Sequence, residues 1–428
     1  MTTILRGAAI RFQGNPFQDP DALVHDTDAA IVIEDGLIRA AGPAETVLPE
    51  HPKAEVVRTS HLIAPGFIDT HVHYPQIGVI ASWGADLIDW LNGYTFPEEA
   101  RFGDAEYAAT AAKAYFDEQL RHGVTTAASF CTIHPASVDA YFSEAARRGL
   151  RAVGGKVMMD RNAPEDLRDT AQSGYDDSEA LLGRWHGQGR ASYAVTPRFA
   201  PTSTPAQLEA AGALWAEHPD CLMQTHLSEQ SREIDWVAGL FPDAPDYLGV
   251  YERFGLVGPK ALFGHAIHLS PRERAVLKER DATVTHCPTS NQFLGSGECA
   301  VRDLVAAGIR TGLATDTGGG TSFSMFDTMK SAYEVAQRRG DTLTPAQLWW
   351  LATAGAARAL HLDDRIGNIA PGLEADLILI DRAATPLLAH RTARAESVSD
   401  TLFALAILAD DRAIAETISG GRRVWPLA

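Results

Sequence analysis

The middle of the chain alternates short β-branched runs with longer stretches of helical, amphipathic spacing, a pattern that predicts βα units around a parallel sheet. Eight runs have strand character: Gly66 to Thr70, Val124 to Phe130, Arg151 to Val157, Ser192 to Thr196, Cys221 to Thr225, Ala261 to Gly264, Thr283 to His286 and Arg310 to Thr315. Helix signals fall between most of them. Asp104 opens a segment ending at Gly123, Thr204-Pro205 starts another, and Ser270-Pro271-Arg272-Glu273 is a capping box with proline at the first helical position. Eight such units suggest closure, so the expected fold is α/β, a TIM-like (β/α)8 barrel over residues 64–368. Towards the ends the pattern changes to β structure. Ile31-Val32-Ile33, the turn Glu34-Asp35-Gly36 and Leu37-Ile38-Arg39-Ala40 form a hairpin pattern; Leu377-Ile378-Leu379-Ile380 is an apolar strand, and Ile418 to Trp425 is hairpin-like around Gly420-Gly421. Segments 1–63 and 369–428 are therefore expected to pair into one small β-sandwich domain formed by both termini.

Charge narrows the choice of partner. With 37 Lys plus Arg against 55 Asp plus Glu, the net charge of −18 repels a phosphate backbone and argues against nucleic-acid binding. The apolar run Leu402 to Ala409 falls far short of the roughly 18 residues a membrane span needs, and the first fifteen residues carry no export pattern, so a cytoplasmic location is expected. The four cysteines, Cys131, Cys221, Cys287 and Cys299, include no C-x-x-C pair. They read as buried thiols in a reducing compartment.

Candidate chemistry collects at strand ends, where barrels of this class carry their active sites. His71 and His73 follow the strand-like run from Pro65 to Thr70, and residues two apart on a strand share a face, so the two imidazoles converge. His226 ends the fifth strand, His265 the sixth and Asp316 the eighth. Neutral imidazoles plus a carboxylate suit Zn²⁺ or Fe²⁺ with one position open for water. Glu229, three residues after His226, falls in the loop above such a site, where a carboxylate can move a proton between water and substrate; its other reading is a first-turn acid of the next helix. Trp83 and Trp90 lie in the long loop after the first strand, as pocket wall or as packing beneath it. His134, His268 and Asn291 also hold strand-end addresses, and His286 reads as a structural hydrogen-bonder.

The string Pro65-Gly66-Phe67-Ile68-Asp69-Thr70-His71-Val72-His73, with the later His, the H-x-x-E, a further His and a strand-ending Asp, resembles the amidohydrolase superfamily of metal-dependent hydrolases over nearly the whole chain. Closer strings resemble its guanine deaminase family: His71-Val72-His73-Tyr74-Pro75-Gln76, Trp90 to Pro97, Lys156 to Asn162, Thr196-Pro197-Arg198-Phe199-Ala200-Pro201 and Cys287-Pro288-Thr289-Ser290-Asn291. The resemblance implies one zinc ion per subunit held by His71, His73, His226 and Asp316, and a homodimer. It further implies Glu229, His265 and Asp316 as the catalytic groups, and Gln76, Arg198 and Phe199 as contacts to guanine, which an activated water would convert to xanthine and ammonia. An arginine fork matches guanine O6 and N7, and the Gln76 amide can pair with O6 or a ring N–H. Two alternatives remain open at this point. One is another deaminase of the superfamily acting on a different nucleobase or N-heterocycle. The other is a non-catalytic barrel that keeps the metal for structure or senses a purine. The zinc deaminases built on H-x-E with P-C-x-x-C are excluded by the absence of any C-x-x-C.

Overall fold

A computed structural model describes residues 2–84 and 87–426. The chain divides into two compact units, Met1–Asp69, Asp117–Thr126 and Phe323–Ala428 in one, Thr70–Phe116 and Ala127–Ser322 in the other.

In the first unit both chain ends contribute to a single eight-stranded, β-sandwich-like sheet. Its order is Arg422–Trp425, Ile414–Ser419, Leu377–Ile380, Leu62–Pro65, Thr3–Phe12, Leu23–Glu34 and Leu37–Pro43, with Glu55–Arg58 also paired to Thr3–Phe12. The ends meet where Leu377 to Ile380 run antiparallel to Pro65 to Leu62. Alternate residues from both ends, among them Leu5, Ile31, Ile63, Leu377 and Ile418, bury one apolar cluster, as a period-two pattern requires. Both hairpins turn where expected: Asp35-Gly36 and Gly420-Gly421 take the left-handed backbone that two-residue turns need. The last sixty residues are not all β. Helices Pro386–Thr392 and Val398–Leu408 interrupt them, capped by Thr385 and Ser397, which accept from the amides of Leu388 and Asp400. The apolar run at Leu402 belongs to a helix that buries one face and is held by Trp349 Nε1 donating to Leu402 O at 3.0 Å; a continuous apolar run fits either element until its neighbours are known.

The eight expected barrel strands all form. They are β1 (Phe67–His73), β2 (Val124–Phe130), β3 (Arg151–Gly155), β4 (Ala191–Pro197), β5 (Leu222–Leu227), β6 (Ala261–His265), β7 (Thr283–His286) and β8 (Arg310–Leu313), hydrogen-bonded in sequence order. Closure comes at the rim, where the Asp316 amide donates to His71 O at 3.0 Å and the His73 amide donates to Thr317 O at 2.9 Å. The third strand breaks at Lys156, whose buried ammonium turns to Asp169 at 2.5 Å, and resumes as Val157–Met158. The capping signals hold: Asp104 precedes helix Ala105–Arg121, Thr204 caps Pro205–Glu217, and the Ser270/Glu273 box opens Pro271–Glu279. Among the described residues no helix is long and apolar enough to cross a membrane, and all four cysteines are buried and form no disulfide.

Candidate active site

Four strand ends bring the singled-out side chains together. His73 Nε2 lies 3.1 Å from His226 Nε2. Asp316 Oδ1 lies 3.4 Å from His71 Nε2 and 3.7 Å from His73 Nε2. His265 Nε2 is 3.5 Å from Glu229 Oε2 and 3.7 Å from Asp316 Oδ2. All six are buried. His265 (φ 64°) and Asp316 (φ 50°) sit in the left-handed region, a strained conformation for residues with a Cβ that turns both side chains off the ends of their strands. Two glycines make room for the cluster. A Cβ on Gly264 would meet His71 Cε1 at 2.8 Å, and one on Gly319 would meet Asp316 Oδ2 at 3.0 Å.

The protonation states follow from burial and neighbours. Burial, then the fields of neighbouring imidazoles, push His73 and His226 well below the usual histidine range; burial also lowers His71. These rings are neutral at pH 7. His226 Nδ1 donates to Arg198 O at 2.7 Å, so its Nε2 keeps a lone pair facing His73. Burial raises Asp316, but the hydrogen bond from His71 and the charge of His265 outweigh it, and the carboxyl is lowered overall. Burial opposes a charge on His265, yet the Glu229 and Asp316 carboxylates prevail and raise it. Buried, neutral nitrogen donors beside an ionised carboxylate form the donor set of a divalent-ion site with borderline ligands. One ring nitrogen each from His71, His73 and His226 lies within 4.8 Å of the others, so the residues present fit a metal ion. Cys287 Sγ is also close to His71, His265 and Asp316, but its thiol donates to Thr285 O at 3.5 Å. The Phe130 ring lies 4.7–4.8 Å from the rings of His71, His73 and His226 and walls the cluster on one side.

The cluster opens into a cavity whose polar lining includes Gln76, Arg198, Glu229, His265 and Asp316 and whose apolar lining includes Trp90, Phe199 and Leu294. Burial pushes Glu229 up to about 7, with Glu233 and Asp316 adding to the rise and His265 opposing it. Its Oε1 accepts from Ser296 Oγ at 2.9 Å. Glu233 braces the loop, accepting from the Glu229 amide at 2.9 Å and from Tyr247 OH at 2.7 Å. Asn291 Oδ1 accepts from His265 Nδ1 at 2.8 Å and so fixes that ring. Behind the wall, fully buried Glu99 accepts from Gln76 Nε2 at 2.8 Å and from Arg198 Nη1 at 2.6 Å.

Of the sequence candidates, Trp90 lines the cavity whereas Trp83 is 77% exposed and does not. His134 and His268 also lie outside the lining; His268 Nε2 bonds Ser296 O at 2.9 Å and steadies the loop bearing Ser296. The expectation for His286 fails. Burial pushes it down to about 3, and neither ring nitrogen has a hydrogen-bond partner among the described residues. Glu99, Ser296, Glu233 and Phe130 were not singled out. Glu99 lies just past the Trp90–Pro97 string, the one signal that could have found it.

A barrel rim carrying an H-x-H on its first strand, further histidines on its fifth and sixth and an aspartate after its eighth defines a class of protein. Residues 62–424 match the Amidohydrolase family, and the chain belongs to that family. Among its relatives is guanine deaminase of Escherichia coli (strain K12), 43% identical over 413 residues, covering 96% of this chain and 94% of that protein. The E. coli guanine deaminase structure superposes with a TM-score of 0.96 at 42% identity, covering 99% of each chain. Guanine deaminase from C. acetobutylicum, solved with guanine bound in its active site, gives a TM-score of 0.91 at 27% identity, covering 99% of this chain and 100% of that one.

Proposed function

We propose that the chain catalyses the hydrolytic deamination of guanine to xanthine and ammonia. The reading rests on one observation: the fork of Arg198, the amide of Gln76 and the carboxyl of Glu229 line the same cavity as His73, His226, His265 and Asp316. That juxtaposes purine-reading groups with proton-moving ones. It is supported by the sequence relatives and by the solved relative that carries guanine in its active site.

His71, His73, His226 and Asp316 would hold one zinc ion. Bound there, such an ion supplies Lewis acidity that brings the acidity of water toward neutrality. The remaining chemistry belongs to the chain. Glu229, pushed up to about 7, can both take and release a proton near neutral pH, which is where a general acid/base group is most effective. It takes a proton from the attacking water and delivers it to N3 as the oxygen adds to C2, so that no negative charge accumulates on the ring. Asp316 accepts the second proton of the water. His265, its Nδ1–H held by Asn291, hydrogen-bonds the attacking oxygen and aims it at C2. The proton taken by Asp316 then passes by way of Glu229 to the amine, which leaves as ammonia while C2 becomes the second carbonyl. Phe199 stacks on the purine and Arg198 receives O6.

The test is ammonia release from guanine, adenine, cytosine and 8-oxoguanine by the metal-loaded protein, with kcat/KM for each. Guanine is expected to lead by roughly a hundredfold or more. No release from guanine, or a higher kcat/KM for another base, overturns the reading.

A further inference from the structure

Gln76 and Arg198 face the cavity, but neither is free to choose its orientation, because both bond one carboxylate outside the lining. Glu99 comes from the five-residue helix Phe96–Ala100 and is fully buried; Arg198 is almost so. A carboxylate ion-paired to a guanidinium can only accept hydrogen bonds. The Gln76 atom facing Glu99 must therefore be the NH₂ group, which leaves Oε1 as the atom presented elsewhere, and no hydrogen bond to that oxygen forms among the described residues. The backbone of Gln76 is fixed as well. A Cβ on Gly318 would lie 2.7 Å from Gln76 O and 2.9 Å from its Cβ, so the two segments touch at glycine distance. On the other partner, Arg198 Nη1 is committed to Glu99 at 2.6 Å while the Phe96 ring lies 5.5 Å from the guanidinium carbon, so the remaining donors form a fork of fixed direction.

We propose that Glu99 is the positioning residue that sets which purine edge the cavity accepts: it holds Gln76 with its amide oxygen toward the ligand and Arg198 with its donors toward the ligand. An acceptor beside a donor pair is the complement of a lactam, N1–H next to C6=O, and the mismatch of an amidine edge with a bare N1 and a 6-amino group. Glu99 touches neither substrate nor metal; it acts through its two neighbours. This inference rests on the purine reading above and names the group that makes it selective. A flippable amide in place of the carboxylate, as in Glu99→Gln, lets Gln76 turn over and leaves the Arg198 charge uncompensated.

The experiment compares inhibition by hypoxanthine, which presents N1–H and O6, with inhibition by adenine, which presents the opposite pattern. Both are measured against guanine turnover in wild type, Glu99→Gln, Glu99→Asp and Gln76→Leu. Wild type is expected to favour hypoxanthine; in Glu99→Gln the ratio of the two inhibition constants falls by about tenfold or more and KM for guanine rises more than kcat falls, because the site's buried polar groups no longer match the lactam. Glu99→Asp, which keeps an acceptor-only carboxylate, retains the preference. A merely structural role lowers the active fraction and leaves the ratio untouched. Should Glu99→Gln fail to fold, Gln76→Leu losing the preference while Glu99→Asp keeps it supports the proposal. A ratio unchanged in Glu99→Gln or in Gln76→Leu, or no preference in wild type, overturns it. Wild type that releases no ammonia from guanine would instead defeat the functional reading itself, so the two failures are distinct.

Discussion

Glu229 has to be buried to be useful, and burial is costly to a carboxylate. Its displacement from 4.5 to about 7 means that the folded chain holds this proton more tightly than the unfolded chain does. The associated stability is fully present below the ordinary carboxylate range and is lost as pH rises through about 7, because ionising the buried group penalises only the folded state. Glu229→Gln removes that penalty. In chelated protein the variant is expected to unfold at a higher temperature than wild type above pH 7, by roughly 3 kcal/mol of stability, with the gain fading toward pH 4; an unchanged difference across that range would contradict it. The same variant should lose roughly a hundredfold to ten-thousandfold in kcat with guanine, since one general acid/base step is removed. Single residues were legible unevenly. His71, His73, His226, His265 and Asp316 could be picked out because each ends a strand-like run, so that pattern and chemistry coincide. Glu99 and Ser296 come from segments with no regular period, and their role lies in what they touch: another side chain rather than a repeat position.

At the scale of elements, the strand termini do the positioning. The cluster depends on the His71 ring lying so close to Gly264 on β6 that only a hydrogen fits there. Gly264→Ala is therefore expected to displace that imidazole and weaken metal binding by about ten- to a hundredfold, as loss of ligand orientation typically does. Metal titration monitored alongside circular dichroism checks this, with secondary structure retained; unaltered metal affinity would show that the ring is not held as described. The strands themselves were readable to within a few residues, because buried parallel strands are short β-branched runs bounded by turn and cap signals. The break of β3 at Lys156 was not, since it depends on a buried ion pair with Asp169 thirteen residues on. Nor were the helices at Pro386–Thr392 and Val398–Leu408, whose apolar residues carry too little alternation to separate helix from strand.

For the whole molecule, the net charge of −18 offers an anion no long-range attraction, and Arg198 is already paired with Glu99. Guanine is neutral. Its kcat/KM should accordingly change by less than about twofold as ionic strength rises from roughly 0.05 to 0.5 M, whereas a steered anionic substrate would slow markedly. The two-ended sheet was inferable from the β-rich termini; that the ends pair through Leu377–Ile380 and Leu62–Pro65 is a long-range fact that local pattern does not contain. Histidines and an aspartate from distant strands are expected to hold one ion without which the chemistry stops. Titrating Zn²⁺ into metal-free protein while recording ammonia release from guanine tests it most directly. Activity should be absent at the start, rise in proportion to added metal and level off at one ion per chain; undiminished turnover in the metal-free protein would contradict the account.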